Sequence, residues 1–327
     1  MFEKVNPGHP DKMADRLAGA VVDLVYERAG GLTKANPRVA CEVMAGHGRV
    51  DVQIETSLGR MDLRAEDIDP LIHRLFGERV VGNVLIAPQD AHLSENQTRG
   101  LRCGDNGIFR GCPPTEEQRV LTAIAATMWE RFNSDGKYLI SDDTLTICQS
   151  EARTLRLSEC LSDFIYANGG YVDTMNVPAD TDEQGRYSRL YADRATVETF
   201  MLCDKMRTAI FNPLGPWTGG INVDCGCTNR KLGSDMGDGV TGGGLMGKDL
   251  SKADVSVNIA CFLKAVASGQ TVTAMCSIGD ESVTFVYADG RRETETFADV
   301  VEMARLYILT DCGGSFERFS EWGLLRP

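Results

Sequence analysis

The chain lacks any apolar run approaching the length of about 20 residues that a bilayer span needs. Its first eleven residues carry Pro7, His9, Pro10 and several charges where a secretory signal would need an apolar core. A cytoplasmic protein with no membrane segment is therefore expected. Basic residues are in deficit: 34 Lys and Arg stand against 47 Asp and Glu in 327 residues, a net charge of −13. A field of that sign repels nucleic acid, so an anionic ligand must be held by a local cluster of cations. Histidine is rarer still, with four residues, and His47, His73 and His92 have no catalytic pattern around them. Zinc-ligand spacing is also missing. Of eleven scattered cysteines only Cys225 and Cys227 form a close pair, with no second pair or histidine at the right distance. The cysteines read as small buried hydrophobes, and disulfides are not expected. Internal repeats and low-complexity segments are absent.

What is present is an ordinary globular composition, 43% hydrophobic, on a chain long enough for about two domains. Met13, Leu17, Ala20, Val21, Leu24 and Val25 recur at helical spacing and predict a helix to about Arg28, ended by Gly30-Gly31. Val39, Cys41 and Val43, then Val50, Val52 and Ile54, alternate around Gly46-His47-Gly48 and predict a β-hairpin. Glu42, Gln53 and Glu55 fall on its other face, which is either solvated or lines a polar site. Further strands are expected at 81–87, 144–149 and 282–288, and helices at 117–131, 251–266 and 298–309. The polar stretch 179–194 reads as an exposed connection. The mixture is α+β.

Glycine concentrates in 104–111 and 215–247, interrupted by Asp, Arg and Lys, as in loops that approach a ligand closely. From Gly242 to Asp249 the chain nearly satisfies the phosphate-loop pattern G-x-x-x-x-G-K-[ST]. Asp249 stands where that motif needs a hydroxyl, and no buried strand run precedes it. A glycine-rich run with Lys248 at its exit still suits phosphate. Ser251 to Asp254 fits a helix-capping box, which would make Asp254 a capping residue and Lys252 a first-turn lysine. Against that, Lys248 and Lys252 converge at the positive end of a helix dipole, a placement that a bound polyanion explains better. Arg230-Lys231, taken alone, is a solvated pair. Asp11, just before the first helix, has the common N-cap role as its plainer reading.

In combination these segments resemble the S-adenosylmethionine synthetases. Gly8-His9-Pro10-Asp11-Lys12 matches the family's GHPDK signature, with Glu3 upstream. Val39-Ala40-Cys41-Glu42 and Glu55 match its VACE strand and later Glu, and Asn96-Gln97 and Gly104-Asp105-Asn106-Gly107 its N-Q and GDQG elements. Phe211-Asn212-Pro213-Leu214-Gly215, Gly219-Gly220, Asp224 to Lys231, Gly242 to Asp249 and Lys252-Ala253-Asp254 follow its long glycine-rich signature. The resemblance runs in order from the amino terminus to about Asn258.

The resemblance implies an α+β fold of three similar α/β subdomains around a pseudo-threefold, divided here as 1–102, 103–218 and 219–327. It implies a homodimer with interfacial active sites, or a tetramer built from it. The expected partners are ATP and L-methionine, with two Mg²⁺ per site and a K⁺. By the same carry-over, His9, Arg230, Lys231 and Lys248 would hold the triphosphate, Asp11 and Asp254 Mg²⁺, and Glu42 K⁺. Glu55, Gln97 and Lys252 would contact methionine, and Asp224 both substrates. Asp105 would offset the sulfonium charge, Trp217 would stack on adenine, and Leu245 and Asp142 would lie beside the nucleotide.

Departures from the family pattern are equally visible. Only eight positions separate Gln97 from Asp105, where the family carries a longer lid, which puts the family's gating and water exclusion in question. The P-D-x-K element survives only as Ser141-Asp142-Asp143-Thr144, without its lysine, for which Lys137 is a weak substitute. The stretch between Lys231 and Lys248 is shortened and Thr241 replaces a usual His. These losses motivate two alternatives, a non-catalytic nucleotide-binding paralogue and a plain ATP or tripolyphosphate hydrolase.

Overall fold

The computed structural model describes residues 1–59, 62–90, 100–151, 154–173, 198–202, 205–213 and 217–327. In chain order its elements are β1 (Phe2–Val5), α1 (Pro10–Arg28), β2 (Val39–Gly46), β3 (Arg49–Thr56), α2 (Asp69–Phe76), β4 (Val81–Pro88) and β5 (Gly107–Gly111). Next come α3 (Glu116–Phe132), β6 (Gly136–Ser141), β7 (Thr144–Gln149), α4 (Thr154–Ala167), β8 (Tyr171–Asp173), β9 (Glu198–Leu202), β10 (Lys205–Phe211) and β11 (Cys225–Cys227). The last part holds α5 (Leu232–Met236), α6 (Ala253–Ser268), β12 (Val272–Cys276), β13 (Ser282–Tyr287), β14 (Arg292–Thr296), α7 (Phe297–Asp311) and α8 (Phe316–Trp322). The fold is α+β. The polar stretch 179–194 lies outside the described residues.

The chain divides into two compact, interleaved units, one made of Met1–Pro10, Thr115–Asp224 and Arg326–Pro327, the other of Asp11–Pro114 and Cys225–Leu325. The first unit is built on a six-stranded sheet in the order β1-β6-β7-β10-β9-β8, antiparallel except where β10 runs parallel to β7. Helix α3 packs on β1 and β6. It starts at a capping box in which Thr115 Oγ1 accepts from the Gln118 N–H at 3.2 Å and Gln118 Oε1 accepts from the Thr115 N–H at 3.0 Å.

The second unit carries two four-stranded sheets, β11-β2-β3-β4 and β14-β13-β12-β5. In the first of these the expected hairpin forms, with Val39, Cys41, Val43, Val50, Val52 and Ile54 buried and Glu42, Gln53 and Glu55 exposed. Strand β4 adds to it in parallel with β3. Strand β11 adds on the other side through Cys227↔Met44 and Cys225↔Gly46, which brings the chain just before Arg230 onto the hairpin. Helix α1 buries Ala14, Leu17, Ala18, Val21, Val22 and Val25 along one stripe and stops at Gly30 and Gly31, both at positive φ (110° and 99°).

Helix α6 packs on β5, β12 and α7, with every residue from Ala253 to Cys261 buried. It starts two residues later than the periodicity suggests, with Lys252 at the N-cap and no side-chain cap. The capping box expected at Ser251 to Asp254 does not form. Ser251 Oγ instead donates to Asp249 Oδ1, so it is not available to the helix. No cysteine among the described residues is in a disulfide, and among them no helix is long and apolar enough to cross a membrane.

Candidate functional site

The second unit gathers several of the sequence-predicted site residues around the end of β11 and the turn that follows it. Three consecutive residues there each grip a different acid. The Cys227 N–H donates to Asp11 Oδ1 at 2.9 Å, Thr228 Oγ1 donates to Glu42 Oε2, and the Asn229 N–H donates to Asp15 Oδ1 at 2.8 Å. The next two supply cations: Arg230 Nε lies 3.3 Å from Asp11 Oδ1 and Lys231 Nζ 3.4 Å from Asp11 Oδ2. Asp11 sits in the first turn of α1, yet its buried carboxylate is turned onto this loop and does not serve as an N-cap. Nor is Arg230-Lys231 a plain solvated pair, because Lys231 is only 18% exposed in its side chain while Arg230 is 57% exposed.

Beneath this turn lies a buried network that the sequence did not disclose. Lys12 Nζ is 3.1 Å from Asp15 Oδ2 and 2.7 Å from Asp235 Oδ1, and all three side chains are fully buried. Burial pulls the Lys12 ammonium down, but the charges of Asp235 and Asp15 outweigh it and leave the pKa raised. Burial likewise pushes the Asp15 carboxyl up to about 7, with Lys12 opposing and Asp235 reinforcing the rise. Lys12 is part of the GHPDK run, and its fixed charge supports the acids under the Arg230-Lys231 turn.

The glycine run approaches from the other side. Gly243 lies so close to Asp254 that a Cβ there would collide with the carboxylate, and at Gly244 it would meet the Asn229 carboxamide at 2.6 Å. Only glycine admits that approach. Beyond it, residues 247–249 run along β2: the Cys41 N–H donates to Gly247 O at 2.7 Å and Lys248 bridges Ala40. Lys248 Nζ is 2.7 Å from Asp254 Oδ2 in the first turn of α6. This is not a phosphate loop of the strand-loop-helix kind. Asp249, at the hydroxyl position, is wholly buried and accepts from the Val39 N–H and the Ser251 N–H, both at 2.8 Å, so it staples β2 to the entry of α6.

Glu55 lies directly across the hairpin from Ala40, and Lys248 makes an isolated bridge to Ala40 on its other side, so the three form a row across β3, β2 and the 247–249 segment. Lys252 is half-buried at the N-cap of α6. The Gly104 N–H donates to Ser251 O at 3.3 Å, which fastens the Asp105 loop to that same entry, and Asp105 Oδ1 accepts from the Asn106 N–H at 2.8 Å. Leu245 is buried in the core of this unit. Gln97 falls outside the described residues.

His9, Asp142, Trp217 and Asp224 belong to the first unit. Asn6 Oδ1 accepts from the Gly8 and Gly136 N–H groups at 3.0 and 3.1 Å, pinning the turn that carries buried His9 to the Ser134–Gly136 corner. The Gly220 N–H donates to Asp135 Oδ2 of that corner at 2.7 Å, and the Gly219 N–H to Ser150 Oγ at 3.1 Å. The segment from half-exposed Trp217 to Asp224 is thus tied to the corner that holds the His9 turn. Asp135 is a positioning acid with no motif to announce it. Asp142 occupies the exposed two-residue turn between β6 and β7 at φ 53°, and Lys137 is paired with Glu3 at 3.0 Å.

Among the described residues no group of three or more His, Cys, Asp or Glu converges as a metal site. The donors that are present still fit Mg²⁺, which is commonly held by one or two carboxylates with the remaining oxygens from substrate phosphates. Asp11 and Asp254 each offer a hard carboxylate already flanked by cations. Glu42 offers one of the several oxygens that K⁺ would need.

No family model matches the chain. It is similar to the S-adenosylmethionine synthase of Jannaschia sp. (strain CCS1), 26% identical over 347 aligned positions that cover 92% of this chain and 83% of the relative. The synthase of a Nitratiruptor species is 26% identical over 88% of this chain and 76% of the relative, and that of Helicobacter pylori (strain J99) 25% identical over 94% and 80%. Among solved structures, an unusual S-adenosylmethionine synthetase from Campylobacter jejuni shares the fold at TM-score 0.59 and 18% identity, covering 100% of this chain and 90% of that one. These relatives over most of its length, that fold and the ordered motifs fit a divergent relative of the S-adenosylmethionine synthetases.

Proposed function

We propose that the protein transfers the adenosyl group of ATP to the sulfur of L-methionine, giving S-adenosylmethionine, and hydrolyses the released tripolyphosphate to phosphate and diphosphate. The observation that supports this reading is a pair of acid-cation sets, Asp11 with Arg230 and Lys231, and Asp254 with Lys248, on two segments that Asn229 and the glycine run hold together. A cradle of that kind suits a long polyanion whose charge grows during the reaction.

In the reaction the thioether sulfur attacks C5′, the C5′–O bond breaks, and the electron pair leaves with the triphosphate. No proton moves in that step, so no general base is required. The barrier depends on orienting the sulfur in line and on stabilising the departing oxygens. Arg230, Lys231 and Lys248 supply fixed positive charge, and His9 a further donor. Asp11 and Asp254 would hold Mg²⁺, which when bound neutralises charge on the phosphate oxygens. Glu55 and Lys252 would hold the amino and carboxyl ends of methionine, with Gln97 and Asp224 as further contacts. Trp217 would stack on adenine, with Leu245 and Asp142 beside the nucleotide. Asp105 would face the new sulfonium, and Glu42 would contribute to K⁺. The active unit would be a homodimer or tetramer.

Mass spectrometry of products from ATP, methionine, Mg²⁺ and K⁺ tests the reading. S-adenosylmethionine is expected. ATP binding without turnover would favour the paralogue, and phosphate release indifferent to methionine the hydrolase.

A further inference from the structure

We infer that Asn229 is a positioning residue that clasps the two halves of the polyphosphate cradle together, the Arg230-Lys231 turn and the Gly243–Lys248 run. This rests on the cradle proposed above and adds a residue to it.

The Asn229 carboxamide grips a single residue of the glycine run from both sides. Its Oδ1 accepts from the Met246 N–H at 2.8 Å and its Nδ2 donates to Met246 O at 3.3 Å. A carboxamide matches a peptide unit in carrying one donor and one acceptor in a plane, so the pair fixes Met246 as a strand partner would. Gly244 leaves the room for it, with no Cβ where the carboxamide lies 2.6 Å away. The other end of Asn229 is anchored in the interior, its N–H on Asp15 Oδ1 at 2.8 Å and Asp15 on Lys12.

The plainer explanation is that Asn229 serves the turn alone, since its φ is 62° and Asn tolerates the left-handed region. A turn needs only that φ, and glycine would supply it at no steric cost. The two bonds to a residue 17 positions later are not required by the turn. They fix how far Lys248, two residues beyond Met246, stands from Arg230 and Lys231. Substitution with glycine separates the two explanations, because it keeps the backbone and deletes the clasp.

The test uses the full-length protein and tripolyphosphate with Mg²⁺, titrated by calorimetry, beside steady-state kinetics. In Asn229→Gly we expect tripolyphosphate affinity and kcat to fall roughly tenfold, the methionine KM to stay unchanged, and the circular dichroism spectrum to stay that of the wild type. In Asn229→Asp, which loses the donor and adds a negative charge, binding falls further. That variant is read by the same titration if Asn229→Gly does not fold. Unchanged tripolyphosphate affinity, or an equal loss toward methionine, overturns the inference. A wild type that makes no S-adenosylmethionine but binds tripolyphosphate in an Asn229-dependent way would sink the enzymatic reading and leave the clasp standing. A wild type that binds no tripolyphosphate overturns both.

Discussion

Lys12 and Asp235 are 223 residues apart in the chain and 2.7 Å apart in the fold, and neither side chain reaches solvent. Asp15 completes the set on the other side of the ammonium. Asp235 also uses its carbonyl to accept from the Leu324 and Leu325 N–H groups, so the network ties the start of α1 to the chain beyond α8. Removing the one cation leaves two buried carboxylates facing each other. Lys12→Met should therefore cost about 3–5 kcal/mol, the usual penalty for breaking a buried ion pair. Thermal unfolding should show a melting temperature lower by roughly 10 °C. A drop within a degree or two would mean that the charges are not coupled in this way.

The same network predicts a pH dependence whose sign follows from Asp15. Its folded-state pKa, about 7, lies above the ordinary 3.8. Between those values the folded protein keeps a proton that the unfolded chain has lost, so this group favours folding at low pH. That contribution disappears as pH rises through about 7. Asp15→Asn carries no titrating group there but can still accept from the Asn229 N–H. The melting temperature of the variant relative to wild type should climb steadily from pH 4 to pH 7 and level off above. A difference that stays flat, or falls, over that range would place the Asp15 pKa at its ordinary value.

Helix α1 and the β2-β3 hairpin were readable because one stripe or one face of each is apolar, and period alone identifies such elements. Period says nothing about direction, so the parallel pairing of β4 with β3 could not be read. Strand β11, Cys-Gly-Cys, has no alternation at all and exists only through its pairing with β2. The α6 capping pattern failed because a third residue, Asp249, took the Ser251 hydroxyl. In the site, Asp11, Arg230, Lys231, Lys248 and Asp254 stood out as charges in glycine-rich or motif-bearing segments. Asp15, Asp135 and Asp235 did not, since an acid whose partners lie far along the chain looks like any surface acid. Asn229 was equally hidden, because its role depends on a glycine making room on another segment.

Under the proposed function, Lys248 would separate binding from catalysis. Its ammonium pairs with Asp254 in the resting site and would turn to the departing phosphate oxygens as their charge grows. Charge that acts mainly in the transition state appears in kcat more than in ground-state binding. Lys248→Ala should slow adenosyl transfer by on the order of 10² or more. Single-turnover formation of S-adenosylmethionine is the measurement, and a rate equal to wild type removes Lys248 from the mechanism.

Under the same proposal Glu55 would address the other substrate. Successive strands in a sheet are about 4.8 Å apart, so the row Lys248, Ala40, Glu55 sets the Glu55 backbone roughly two strand spacings from that of Lys248. That spacing sets Glu55 well away from Lys248, which would let Glu55 hold the substrate's ammonium while the sulfur reaches toward the nucleotide. Glu55 is exposed on the outer face of β3, so replacing it leaves no buried partner unsatisfied and the fold should be unaffected. Glu55→Gln keeps the shape and removes only the charge. The methionine KM should rise about tenfold or more through loss of a charge-assisted hydrogen bond, while Mg²⁺-dependent tripolyphosphate affinity stays at the wild-type value. Equal weakening toward both would show that Glu55 acts on the site as a whole, and an unchanged methionine KM would assign the ammonium to another acid on this face, with Glu42 the next to examine.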